Sequence, residues 1–309
     1  MARFPYDEFS KDYLKELLSP LGKVDTSRKV ASEIQEIDVY ITPFPNSNAN
    51  KEILGLLGRF VDTAALIEPF RNAVTVLEIR SCINKLFDVF GDLERLAKRN
   101  NQRLSEITYP RLWILSPTAS DELLEGFRAK LDEDNWQSGI YFLGESFRSA
   151  IVIIHQLPRT EATLWLRILG KGKVQQQAIN ELQLLSVDNP LRSKAIDLLS
   201  NLKATLQVKQ NLEEEERDLI MQLSPIYEEQ LADARQQGVQ QGVQQGVQQG
   251  VQTERTNTVE SLLRVRFGTI DAELTAIIPL IVDLPSDDYV CLLLELANLS
   301  REDFLARFN

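Results

Sequence analysis

The chain has 309 residues, enough to bury one large core or two modest ones. Its net charge of −11 excludes a generally basic nucleic-acid binder, so any DNA contact must come from a local patch. A single histidine, His155, excludes a His-rich zinc site built within one chain. Any Ser-His-Asp triad would have to use that one residue. Cys82 and Cys291 lie far apart and fit as buried apolar residues of a reduced protein. The first residues lack the charged-then-apolar pattern of a secretion signal, and no apolar run approaches the roughly 18 residues of a membrane span. The expectation is a cytoplasmic protein that does not enter a membrane.

In chain order, Phe9 to Leu18 reads as a short helix with Phe9, Tyr13, Leu14, Leu17 and Leu18 on one face, stopped by Pro20 and Gly22. Residues 28–42, with Val30, Ile34, Ile37, Val39 and Ile41, read as a strand pair, and Asn46 to Asn50 as a polar loop. Ile53 to Phe60 has the spacing of a short helix. Leu66 to Phe70 is a buried strand candidate. Thr75 stands three residues before Glu78, the spacing of a capping box. Ile79, Cys82, Ile83, Leu86, Val89, Phe90, Leu93 and Leu96 then recur at helical spacing.

Leu112 to Leu115 is a strand between Pro110 and Pro117, and Leu123 to Leu131 reads as a helix. Residues 140–143 and 150–154 are two further strands. Together these predict an α/β layer domain over residues 1–158. Residues 159–225 read as a helical extension. Within it, Pro190 opens a helix reaching about Leu223, Glu213 to Glu216 form a solvated acidic run, and Pro225 is expected to break the helix. Residues 226–258 form a long helix with four Gly-Val-Gln-Gln copies, and residues 259–309 a small helical module.

Four residues advance an α-helix by about 400°, so a Gly-Val stripe drifts by about 40° per copy. The stripe winds slowly around the helix and makes no heptad seam. Gly238, Gly242, Gly246 and Gly250 together cost about 4 kcal/mol of helix propensity relative to alanine. Packing against a second copy, giving a homo-oligomer, is one reading of the stripe. A slippage-prone spacer helix is the other.

Two apolar strands each carry one carboxylate, Asp38 and Glu68. Such a pair can hold Mg²⁺ between neighbouring strands, as in metal-dependent nucleases. The bland readings are a strand-end acid paired with an arginine such as Arg71, and a strand-edge residue before Pro69. Glu78-Ile79-Arg80 superficially matches a Glu-x-Lys motif, but the capping box accounts for Glu78 more simply. For DNA the candidate is a stripe at three- or four-residue spacing, Arg95, Lys98, Arg99 and Arg103. Its competing explanation is a solvated helix end with cations favoured by the dipole.

The segments Phe9-x-Lys11-Asp12-Tyr13-Leu14, Glu36-Ile37-Asp38-Val39 and Leu66-Ile67-Glu68 fall in an order that resembles the PD-(D/E)XK nuclease-like fold. More closely, the chain resembles the bacterial recombination-promoting nuclease and transposase family. That likeness includes the glycine-every-fourth repeat and a tail, Leu262 to Glu302, similar to a small helical domain found on such proteins. The resemblance implies an α/β fold with an N-terminal PD-(D/E)XK-like mixed sheet flanked by helices. It also implies a Mg²⁺-dependent DNA endonuclease with Asp38 and Glu68 as metal ligands. The departure is at position 70, where the motif has lysine and this chain has Phe70; Arg71 is the nearest cation that could substitute. A guanidinium is a poor mimic of a lysine point charge. Two outcomes remain open: a nuclease with a rearranged site, or a catalytically inactive oligomeric scaffold or adaptor on the same fold.

Overall fold

The computed structural model describes residues 5–29, 36–44, 51–186 and 188–308. Val30, Glu33, Ile34 and the loop at 46–50 lie outside them. The chain divides into two compact units, Met1–Tyr227 and Glu228–Asn309.

The first unit is mixed α/β. Helix α1 (Pro5–Leu18) leads into strands β1 (Gly22–Lys29) and β2 (Glu36–Pro43). A short helix α2 (Leu56–Phe60) and strand β3 (Ala65–Pro69) follow, then α3 (Val76–Arg99) and β4 (Arg111–Ser116). After α4 (Asp121–Gly126) come β5 (Lys130–Leu131), β6 (Ile140–Phe142) and β7 (Ser149–Ile153). The helices α5 (Leu164–Arg167), α6 (Lys173–Leu184) and α7 (Arg192–Gln207) precede the start of α8 (Glu214–Phe267).

The seven strands form one sheet in the order β1-β2-β3-β4-β7-β6-β5. At its centre β3, β4 and β7 are parallel, and α3 provides the crossover between β3 and β4. The hairpin β1-β2 adds antiparallel on one side, and β6 and β5 on the other. Alternation along the strands divides the core in two. Val39, Ile41, Ala65, Ile67 and Trp113 face α1 and the later helices; Tyr40, Leu66, Leu112 and Ile114 face α3. The first cluster continues without interruption into Leu166, Leu199, Leu219 and Ile226. The boundary at 158 therefore separates elements by type and not by core.

Four expected elements differ. The strand pair expected over 28–42 begins earlier: β1 covers Gly22–Lys29 and β2 Glu36–Pro43. The helix expected over 123–131 stops at Gly126; Arg128 takes φ 51° and turns the chain into β5. The helix from Pro190 does not reach Leu223: α7 ends at Gln207 and α8 starts afresh at Glu214. Pro225 does not break α8. Proline lacks the N–H that would bond the Met221 carbonyl, but Leu219, Leu223 and Ile226 are buried on both sides of it and hold the helix to the core. Packing overrides the local preference.

In the second unit, the rest of α8 is followed by α9 (Ala272–Val282), α10 (Ser286–Glu295) and α11 (Arg301–Leu305). Gly268 at φ 85° ends α8. Asp271 caps α9 and Ser300 caps α11, each accepting a backbone N–H. Val259, Leu263, Leu274, Ile281 and Phe304 close a small core of their own. Among the described residues no helix is long and apolar enough to cross a membrane.

Candidate active site

The register of β2 on β3 pairs Val39 with Ile67 and Tyr40 with Leu66. The pairing ends at Val39–Ile67; beyond it Ile37 packs on the α3 side, while the Asp38 side chain meets Lys11 of α1. The Asp38 amide donates to Glu68 Oε1 at 3.3 Å. The contact runs from the Asp38 backbone to the Glu68 side chain.

Each acid holds a lysine that the strands do not supply. Lys85, from the second turn of α3 onward, places Nζ 2.7 Å from Glu68 Oε2. Cys82, one helical turn earlier, brings Sγ to 4.0 Å from the same oxygen. Lys11 of α1 places Nζ 2.9 Å from Asp38 Oδ1 and 3.0 Å from Asp7 Oδ2. Position 70 holds no cation because Phe70 packs against the α3-side core, its amide bonded to the Leu115 carbonyl. The ammonium arrives from the helix above. A lysine interrupting the buried stripe Ile79-Cys82-Leu86-Val89 was the signal that could have found it.

The capping box places α3. Thr75 Oγ1 accepts from the Glu78 amide, and Glu78 Oε2 accepts from the Thr75 amide at 2.8 Å. Glu78 is thereby accounted for as a cap.

Burial dominates the electrostatics. Glu68 is 1% exposed. Burial, reinforced by the charge of Asp38 and opposed by Lys85, lifts its carboxyl from 4.5 to about 7. Asp38 is also raised, by burial first, with Lys11 opposing. For Lys85 the balance runs the other way: burial opposes its charge, but Glu68 more than offsets this and raises it. Burial likewise pushes the Cys82 thiol up, which makes it an inert neighbour.

Asp38 opens onto a cleft of about 590 Å³ beyond the C-terminal end of β3. That is where open α/β sheets bind ligands. Tyr6, Asp7 and Ser10 of α1 form one wall, Phe70 to Asn72 and Glu78 another, and Lys171, Lys209, Glu213 and Glu216 the third. Glu68, buried, does not line this cleft.

Two sequence expectations, both for Arg71, are corrected in position. Arg71 is not on the acids: its Nη1 donates to the Gly170 carbonyl at 2.8 Å and Gln175 Oε1 at 3.0 Å, and its guanidinium lies 3.9 Å from the Tyr6 ring centre. Nor does Arg71 pair with Asp38, whose partner is Lys11. Arg95, Lys98, Arg99 and Arg103 sit at or beyond the far end of α3, with Arg99 about 21 Å along the axis from Lys85. Arg95 pairs with Asp92.

A divalent metal would find two carboxylates here. Among the described residues no group of three or more His, Cys, Asp or Glu side chains could hold an ion. That donor set does not fit a closed structural zinc site. Mg²⁺ would need only one or two carboxylates, with waters or phosphate oxygens completing its shell, but here both acids are already paired with lysines.

In the second unit, a Cβ built at Gly238, Gly242, Gly246 or Gly250 meets nothing within 4 Å. The valines that follow them are exposed. The stripe is an open helix face.

Comparison with protein-family models, with curated proteins and with solved structures returns no match.

Proposed function

We propose that the first unit is a phosphodiesterase of PD-(D/E)XK type that cleaves DNA with Mg²⁺. Asp38 and Glu68 are its metal ligands, and Lys85 stands where the family has a strand lysine. The observation that carries this reading is the Asp38 amide donating to Glu68 Oε1 at 3.3 Å, with Lys85 Nζ 2.7 Å from Glu68 Oε2 and Lys11 Nζ 2.9 Å from Asp38 Oδ1. The order of the first elements, α-β-β-α-β-α-β with the second helix a short one, and the mixed sheet agree with it.

When bound, Mg²⁺ would neutralise phosphate charge and lower the proton affinity of a water. The chain's own residues prepare for this. Glu68 needs a positive neighbour to ionise at neutral pH, because burial has raised it to about 7. Lys85 supplies part of that charge and holds the carboxylate in one orientation. Lys11 does the same for Asp38 from α1. The assay is conversion of supercoiled plasmid to open circles in Mg²⁺ or Mn²⁺, compared with Asp38→Asn and Glu68→Gln.

A second reading has its own observation. Both acids already have a lysine counterion, so the site is electrically satisfied without a cation. On that reading the chain is a non-catalytic scaffold that assembles with copies of itself through the open Gly-Val face of α8. It requires that no nicking occur and that the chain self-associate.

A further inference from the structure

Three cations line the cleft on the wall beside Asp38: Arg71, Lys171 and Lys209. Facing them is the acidic turn at the start of α8. Lys171 Nζ lies 3.2 Å from Glu215 Oε2, and Lys209 Nζ lies 2.8 and 2.9 Å from the two oxygens of Glu216. Arg71 feels the charges of Glu215 and Glu216. Glu213 and Glu216 themselves border the cleft. Three cations against three carboxylates leave this wall neutral.

Folding does not require all of that acidity. Leu219, Leu223 and Ile226 already bury α8 against the core. Glu216 has a local role, since it accepts from the Glu213 amide at 2.9 Å as a cap does. Glu215 has no such role in the described contacts; its side chain is 45% exposed, and an exposed ion pair adds about 0–1 kcal/mol. Two of the cations, Arg71 and Lys171, have partners outside the turn; Lys209 is held by Glu216. Arg71 is fixed by Gly170, Gln175 and the Tyr6 ring, and Lys171 donates to Asn72 Oδ1 at 3.2 Å.

We propose that Arg71, Lys171 and Lys209 are a phosphate-binding wall for a DNA backbone, and that the carboxylates of Glu213, Glu215 and Glu216 occupy it as an internal stand-in for that polyanion. This rests on the phosphodiesterase reading of Asp38 and Glu68. DNA must displace the turn to reach the acids, so the turn sets the threshold for binding. It also explains how a chain of net charge −11 can have a DNA cleft that is not visibly basic.

The test is a Glu213→Gln, Glu215→Gln variant of the full chain, with fluorescence anisotropy of labelled short duplex DNA in EDTA. Neutralising two carboxylates gives the wall a net charge of about +2. Affinity at low salt should rise on the order of tenfold, and the slope of log K against log salt between about 50 and 200 mM should steepen by about 1–2. Adding Lys171→Gln and Lys209→Gln should abolish the gain. Should the double variant lower the melting temperature, Glu215→Gln alone carries the same expectation at about half the slope change. Affinity and slope equal to wild type would overturn the proposal, as would a gain that survives loss of the two lysines. Tighter binding with no nicking by either protein would keep the stand-in and sink the phosphodiesterase reading. Nicking by wild type with no gain in the variant would do the reverse.

Discussion

Replacing Lys85 with methionine removes the ammonium from Glu68 while keeping most of the stem's packing volume. Glu68 is an acid whose folded value, about 7, lies above its ordinary 4.5. Folding therefore favours its protonated form: the penalty is absent below about pH 4.5, grows through the interval and is complete above about pH 7. At about 1.4 kcal/mol per pH unit it reaches about 3 kcal/mol. In Lys85→Met the carboxyl loses a charge-assisted hydrogen bond worth about 1.5–3 kcal/mol in its ionised form and rises further. The extra loss should be about 2–3 kcal/mol near pH 8 and under about 1 kcal/mol near pH 5, where Glu68 is protonated in both proteins. At about 2–4 °C per kcal/mol for a unit of this size, the melting temperature should fall by roughly 4–12 °C at the higher pH only. Glu68→Gln combined with Lys85→Met leaves no buried charge and should recover wild-type stability or exceed it. Thermal unfolding by circular dichroism across this pH range measures all four proteins of the cycle. A loss that is the same at both pH values, or a double variant as unstable as the sum of the single ones, would refute the argument.

Other predictions concern the surroundings. Thr75→Ala should cost about 1 kcal/mol by removing the cap of α3, seen as a lower melting temperature with little dependence on pH. Arg95→Gln with Lys98→Gln should leave any nicking rate unchanged, because both lie far along α3 from the acids; a large loss would place DNA on that end of the helix. Alanine at Gly238, Gly242, Gly246 and Gly250 should raise helix propensity by about 4 kcal/mol in total. If those glycines seat a second copy, light scattering should show the variant dissociating despite its stiffer helix, whereas an unchanged mass would remove them from any interface.

Most of the sheet could be read from residue patterns because each strand signals locally. Asp38 and Glu68 stood out as acids inside apolar runs, and Thr75 with Glu78 specified the start of α3 by spacing alone. Lys85 was not readable in the same way. Its partner is 17 residues away, and only the crossover from β3 through α3 brings them together. Lys11 was noticed only as part of a helix, since its approach to Asp38 depends on α1 packing beside β2. Arg71 misled for the converse reason: adjacency to Glu68 and Pro69 means little once the chain leaves the strand and the side chain turns to Gly170 and Tyr6. Pro225 carried a strong local signal that three buried neighbours overrode. Arg128 gave no signal at all, because a left-handed arginine is imposed by the surrounding turn.

The central claim is that Asp38 and Glu68 form one catalytic pair. Its most direct measurement is the plasmid nicking assay with the pure full chain in Mg²⁺ and in Mn²⁺. Wild type should open supercoiled DNA, and Asp38→Asn and Glu68→Gln should each abolish this while remaining folded by circular dichroism. Absence of nicking by wild type with either cation, or nicking undiminished in both variants, would contradict it.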